Sequence, residues 1–134
     1  MIGILLGVFF VLHGLVHLLY TGQSWRIFEL QPGMNWPDGA LAFRFLGDET
    51  TRNMAGIFLV LAAVGFVAGG AGIIFKLAWW RAGVVGVAVF STIVYLLLWD
   101  GGWHSLDDKG LVGILINLAI LATLLVFQWP RFDF

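Results

Sequence analysis

Four continuous apolar stretches constrain this chain more than any other feature of its sequence. They lie near residues 2–20, 54–75, 80–98 and 110–128, and each is close to the roughly 20 residues that a helix needs to cross a bilayer core about 30 Å thick. Membrane β-strands alternate polar and apolar residues, whereas these runs are apolar throughout. A helix also pairs its backbone hydrogen-bonding groups internally, as hydrocarbon requires. The sequence therefore predicts an all-α integral membrane protein, a four-helix transmembrane bundle.

The composition indicates a single transmembrane domain over residues 1–134. Of the 134 residues, 60% are hydrophobic and 11% are charged, against about 25% charged in ordinary soluble domains. Cysteine is absent, which excludes disulfides and cysteine-held metal or iron–sulfur sites. The net charge of −1 gives no basis for nucleic-acid binding. We expect the lipid bilayer, other membrane subunits or further copies of the chain as partners.

The longest connection, residues 21–52, is predicted to have structure of its own, because connections of this length are uncommon in compact domains. Residues 40–47, ALAFRFLG, are predicted to form a short interfacial helix capped by Asp38. Trp25 and Trp36 are expected at the level of the lipid headgroups, where aromatic residues collect. The connection is interpreted either as a surface loop that dips into the interface or as a cover over one end of the bundle.

His13 and His17 are the ionisable side chains of the first apolar stretch. Residues four apart lie on one face of a helix, and ionisable residues inside membrane spans are costly enough to suggest a functional site. His104, in the connection between the third and fourth stretches, is expected at the same end of the bundle. The three histidines are therefore the candidate cofactor-binding residues.

Several ligands fit such histidines. Haem or a chlorin needs one or two of them as axial ligands, and a quinone would accept a hydrogen bond from an imidazole. A metal ion would need further ligands, and because nothing in the sequence fixes them, no metal site is predicted. The interpretation that we favour is that the imidazoles are neutral and bond to Ser, Thr, Tyr or Asn117 inside the bundle.

No catalytic residues are predicted, because the chain contains no nucleophile–base pair, phosphate-binding loop or zincin motif. Four spans would place both termini on one side of the membrane, together with Lys76, Arg81, Arg131 and a single acid, Asp133. The other side carries four basic residues, but the segments on the side of the termini are short and denser in Lys and Arg. Since cytoplasmic segments are rich in these residues, we expect a protein of the cell membrane with cytoplasmic termini.

Two segments, FFVLHGLVHLLY and GIFLVLAAVGFVAGG, resemble the DoxX-like family of small four-helix membrane proteins. In that family the first helix tends to read as an apolar run, His-Gly, two residues and a lysine; here His13 and Gly14 match, and His17 stands where lysine is common. The residue-level likeness covers about residues 7–20 and 55–72. Some members are linked to membrane redox chemistry, including a thiosulfate:quinone oxidoreductase subunit. The resemblance therefore implies a quinone-linked or accessory subunit.

The function that we predict is an accessory or structural subunit of a membrane complex, with no catalysis of its own. One alternative is a DoxX-like redox subunit that binds quinone or haem near His13 and His17. The other is a small channel or permease component.

Overall fold

The structure, a computed structural model, describes residues 1–134 and consists of helices without strands. Its α-helices are α1 (Ile2–Ser24), α2 (Asp48–Ile74), α3 (Trp80–Leu97) and α4 (Leu111–Leu121). Helices α1, α2 and α3 are long and apolar enough to cross a membrane. Neighbours in the chain pack on one another, α1 on α2, α2 on α3 and α3 on α4. The all-α fold class and the multi-pass membrane character are thereby confirmed.

The fourth apolar stretch is a shorter helix than predicted. After the 11 residues of α4, a π-helical turn of 5 residues, Ala122–Val126, continues the chain. At about 1.5 Å per residue these two pieces together rise only about 24 Å, less than the roughly 30 Å of a bilayer core. Arg81 holds this end in place, since its guanidinium donates to the carbonyl oxygens of Leu124 and Pro130. The fourth span therefore stays a prediction.

Helices α1 and α2 both extend further toward the long connection than predicted. Helix α1 continues past residue 20 to Ser24, whose hydroxyl donates to the Arg52 carbonyl over 2.7 Å. Helix α2 begins at Asp48 instead of residue 54 because Asp48 and Glu49 occupy its first turn, where negative charge is favourable for the helix dipole. The two extended ends are therefore tied to each other at this end of the molecule.

The predicted interfacial helix is a 3₁₀ helix, Leu41–Leu46. The prediction that Asp38 caps it is wrong, because no side chain caps this helix. The Asp38 carboxylate instead binds two arginines, Arg26 and Arg52. An isolated surface carboxylate would be free to cap, whereas one held between two guanidinium groups is not.

The long connection packs over the end of the helices where α1 ends and α2 begins. Met34, Trp36 and Ala40 are buried there, in an apolar cluster with residues of α2 and α3. Trp36 is only 5% exposed and its ring lies 5.2 Å from that of Tyr20, so it faces the protein interior. Its position at the level of the headgroups stays a prediction. Trp25, by contrast, is 42% exposed.

Glycines let α1 and α2 approach closely. A Cβ atom on Gly70 would lie 2.5 Å from the carbonyl oxygen of Gly7 and 3.1 Å from the amide nitrogen of Val11. Farther along α1, a Cβ atom on Gly14 would lie 2.9 Å from the carbonyl oxygen of Ala63. Small residues at such positions are the usual means by which membrane helices pack against each other. The α1–α2 contact is therefore made by backbone against backbone.

Replacing Gly70 by alanine tests this contact. Alanine favours a helix by roughly 1 kcal/mol relative to glycine, but at Gly70 the new methyl group would meet the α1 backbone, and overpacking of this kind costs about 1–3 kcal/mol. We expect Gly70→Ala to lower the melting temperature in detergent.

The matched control is Gly86→Ala in α3, where a Cβ atom would meet nothing within 4 Å. That variant should be as stable as the wild type or more so. Equal melting temperatures for the two variants would contradict close packing at Gly70.

Candidate functional site

The two buried histidines of α1 belong to a chain of hydrogen bonds that connects three helices. His13 Nε2 lies 2.8 Å from Asn117 Oδ1 on α4. Asn117 Nδ2 donates to Ser91 Oγ on α3 over 3.0 Å. Ser91 Oγ in turn lies 2.7 Å from His17 Nε2, and His17 Nδ1 lies 2.9 Å from the carbonyl oxygen of His13. The chain of bonds returns to the residue at which it begins.

The direction of each bond follows from the carbonyl oxygen of His13, which can only accept a hydrogen bond. The His13 carbonyl must accept, so His17 Nδ1 carries a proton, and Nε2 of the neutral ring is an acceptor. Ser91 then donates its hydroxyl proton to His17 and accepts from the Asn117 amide nitrogen. The amide oxygen of Asn117 faces His13, which donates from Nε2. One assignment with two neutral imidazoles therefore satisfies every bond of the ring.

Apolar side chains surround this ring of bonds. The Phe66 ring lies 4.6 Å from that of His13 and 5.2 Å from that of His17, and the Tyr95 ring lies 5.9 Å from that of His17. His17, Ser91 and Asn117 are at most 1% exposed. Hydrogen bonds in such surroundings have no competition from water, so a member left without its partner would be costly.

The structure places His104 apart from the other two histidines. His104 is exposed in the connection after α3, beside a polar cavity of about 250 Å³ that neither His13 nor His17 lines. No group of three His, Asp or Glu side chains in the chain could hold a metal ion. The structure thus brings together His13 and His17 but not His104.

A layer of aromatic side chains, Tyr20, Trp36 and Tyr95, separates the ring of hydrogen bonds from this polar cavity. Tyr95 contacts His17 on one side, and on the other its ring lies 5.4 Å from that of Tyr20 and 5.9 Å from that of Trp36. Trp36 is the member of the layer that also lines the cavity. Two distinct polar regions therefore exist at different depths.

Gln23 fastens the long connection over the aromatic layer. Its side-chain nitrogen donates to the carbonyl oxygens of Met34 and Trp36 over 3.0 and 3.3 Å, and its side-chain oxygen accepts from the Leu30 amide over 3.0 Å. Gln23 is 0% exposed. All of its bonds are to the backbone of the connection, which explains why the segment is held in a defined shape.

Asp38 is the centre of the ion pairs outside the membrane-spanning helices. Its oxygens lie 2.9 Å from Arg26 Nη2 and 2.6 Å from Arg52 Nε, and Arg52 Nη2 donates a further bond over 2.7 Å. Burial alone would raise the pKa of Asp38, but the hydrogen bonds from Arg52 and the charge of Arg26 hold it below its usual value. The carboxylate therefore stays charged while it joins α2 to the connection.

A third ion pair closes the loop after α3. Lys109 Nζ lies 3.0 Å from Asp100 Oδ1. Burial would raise the pKa of Asp100, but the bond from the Gly102 amide and the Lys109 ammonium hold it below its usual value. Burial, with the charge of Asp107 beside it, raises the pKa of Asp108.

Comparison with known proteins adds no assignment: no family model, curated protein or solved structure matches this chain. The likeness of residues 7–20 and 55–72 to DoxX-like proteins therefore stays a prediction.

Ser91→Ala tests the hydrogen-bonded ring. It removes the donor to His17 and the acceptor for Asn117, and leaving buried groups unpaired costs about 1–3 kcal/mol. We expect the free energy of unfolding in mixed micelles to fall by that amount.

The control for Ser91→Ala is Thr92→Val on the next residue, because the Thr92 hydroxyl bonds only within α3, to the Ala88 carbonyl. Thr92→Val should change stability by less than about 0.5 kcal/mol. A ring without energetic importance would give the same result for both variants.

Asp38→Asn tests the ion pairs through their pH dependence. A carboxylate with a lowered folded-state pKa stabilises fully above its unfolded pKa of about 3.9, and this stabilisation is lost as the pH falls through the folded-state pKa. Asp38→Asn should therefore melt lower than the wild type at pH 7, and the difference should shrink below about pH 4 as the wild-type carboxylate is protonated.

Asp133→Asn serves as the control for Asp38→Asn, because Asp133 is exposed and forms no ion pair. Its melting temperature should track that of the wild type at every pH. A difference at Asp38 that stays constant down to pH 3 would contradict the assigned ion pairs.

Proposed function

We propose that the chain is an accessory or structural subunit of a complex in the cell membrane, with four spans, cytoplasmic termini and no catalysis of its own. The observation that carries the proposal is the ring of hydrogen bonds among His13, His17, Ser91 and Asn117. It occupies three of the four imidazole nitrogens that a cofactor or substrate inside the membrane would otherwise bind.

The ring leaves little of either imidazole for a ligand. Both nitrogens of His17 are hydrogen-bonded, as is Nε2 of His13. Axial ligation of haem by His17 would break its bond to Ser91 or to the His13 carbonyl. A histidine whose role is to hydrogen-bond neighbouring helices needs no such rearrangement, and polar side chains commonly join membrane helices in this way.

The outward face of α1 offers a surface to another membrane subunit. Leu5, Leu12 and Leu19 recur at seven-residue intervals on this face, and all three are exposed. With α2 covering the opposite side of α1, this face is open to a transmembrane helix of a partner. An accessory subunit requires such an open face.

The second candidate is the quinone- or haem-binding redox subunit that the DoxX-like resemblance implies. One observation favours it, which is that His13 Nδ1 makes no hydrogen bond and is the acceptor nitrogen of its ring. A quinol hydroxyl could donate to this atom. His13 also stacks on Phe9, at 6.1 Å between the rings, and Phe9 lines an apolar groove.

Purification from native membranes separates the two candidates. We expect the protein to show no Soret or chlorin absorbance, to yield no stoichiometric quinone on solvent extraction, and to migrate within a larger assembly that contains other chains. A photo-crosslinking residue at Leu12 should capture a neighbouring subunit of that assembly.

Two results would contradict the accessory function. One is a haem band or bound quinone that disappears in His13→Ala. The other is a chain that occurs only as a monomer or as copies of itself, with no partner crosslinked from Leu12. The crosslinking control is the same substitution at Ala62, which is buried within the protein and should capture nothing.

A further inference from the structure

We propose that the end of the molecule carrying both termini binds one anionic glycerophospholipid. Its phosphate would lie at Arg81 and Arg131, and one acyl chain would lie in the groove between α1 and α4. This inference does not depend on the proposed accessory function, since a lipid site is compatible with any role in the membrane.

A cleft of about 510 Å³ lies beside the start of α3 and the C-terminal segment, and Arg81 and Arg131 both line it. Gln128 adds a polar side chain, while Trp80 and Phe132 contribute aromatic walls. Arginine pairs with phosphate through parallel hydrogen bonds, and basic pockets between membrane helices are suited to acidic lipid headgroups. The lining of the cleft fits a phosphate group.

The cations at this end have no carboxylate partners. All three ion pairs of the protein involve Asp38 or Asp100, at the opposite end. Lys76, Arg81 and Arg131 form none, although Asp133 is nearby in sequence. Asp133 lines a pocket together with Lys76 and Arg131 but forms no ion pair with either. One acid against three basic side chains leaves this end positive, and an anionic headgroup would complement that charge.

Arg81 is held in a fixed position with donors to spare. It donates from Nη1 to the Leu124 carbonyl over 3.0 Å and from Nη2 to the Pro130 carbonyl, and its Cζ lies 5.0 Å from the centre of the Trp80 ring. A guanidinium has five N–H donors, of which these bonds use two. Because the group is half-buried and already ordered, binding a phosphate costs it little conformational entropy.

An apolar groove of about 300 Å³ adjoins the cleft. It runs between α1, which contributes Phe9 and Phe10, and α4, which contributes Ile116, Ala119 and Ile120. Leu124 lines both the groove and the cleft, so the two lie side by side. A charged cleft beside an apolar groove matches an amphipathic lipid, whereas a free phosphate would leave the groove unused.

Competition between two lipids tests the headgroup site. Purified protein in detergent is incubated with phosphatidylglycerol and phosphatidylcholine of identical acyl chains, and the bound lipid is read by native mass spectrometry. We expect phosphatidylglycerol to be retained preferentially. Arg131→Gln should reduce this preference about fivefold, the effect of one basic residue near an acidic lipid.

The matched control for Arg131→Gln is Arg44→Gln, which removes the same charge from an exposed arginine at the opposite end. It should leave the lipid preference unchanged. Equal retention of the two lipids by the wild type, or equal losses in both variants, would overturn the headgroup assignment.

Filling the groove tests the acyl-chain site. Ala119→Phe places a ring where the chain would lie, whereas Leu118→Phe places the same ring on the exposed face of α4 outside the groove. Ala119→Phe should lower retention of phosphatidylglycerol several-fold, and Leu118→Phe should not. Unchanged retention in Ala119→Phe, or recovery of a quinone instead of phospholipid, would overturn the assignment.

Discussion

A polar side chain surrounded by hydrocarbon must find its hydrogen-bond partner within the protein, and the ring of His13, Asn117, Ser91 and His17 meets this requirement. In membrane proteins a satisfied interhelical hydrogen bond adds only about 0.6 kcal/mol on average to the free energy of unfolding. An unsatisfied polar group in hydrocarbon, by contrast, costs several kcal/mol. The ring is therefore more important for excluding other arrangements than for adding stability to this one. Any packing that separates α1 from α3 and α4 leaves four polar groups unpaired.

The close contact of α1 with α2 determines where the histidines point. His13 and Gly14 are consecutive, so their directions on α1 differ by about 100°. Gly14 seats α1 against the backbone of α2, which turns His13 toward Asn117 of α4. Two sets of contacts thus fix the rotation of α1 about its axis: the glycines packed against α2, and the hydrogen bonds to α3 and α4. A substitution on either side would disturb the geometry of both.

Much of the fold was predictable from the sequence, because apolar periodicity and span length are local properties. The positions of α1, α2 and α3 follow from them, and Asn117 was identifiable as the polar residue of the fourth stretch. A serine was among the expected partners of the imidazoles, but Ser91 itself could not be singled out, because a serine can equally bond within its own helix, as Thr92 does. The burial of Trp36 was not predicted for a similar reason: a tryptophan in a polar segment suits lipid headgroups, and only the fold of the connection brings it to Tyr20 and Tyr95.

The two ends of the molecule differ in their charged residues and in the ion pairs that these form. At the covered end, Asp38 gathers Arg26 and Arg52 from separate segments, and Asp100 engages Lys109. These pairs engage two of the seven acids at this end and also hold the connection in place. Because seven acids stand there against four basic residues, the net charge of this end is negative. At the end with the termini, Arg81 and Arg131 form no ion pair. Unpaired cations beside a membrane are stabilised by acidic lipids, and segments rich in Lys and Arg favour the cytoplasmic side. The density of Lys and Arg in the short segments at this end therefore supports both the proposed orientation and the proposed lipid site.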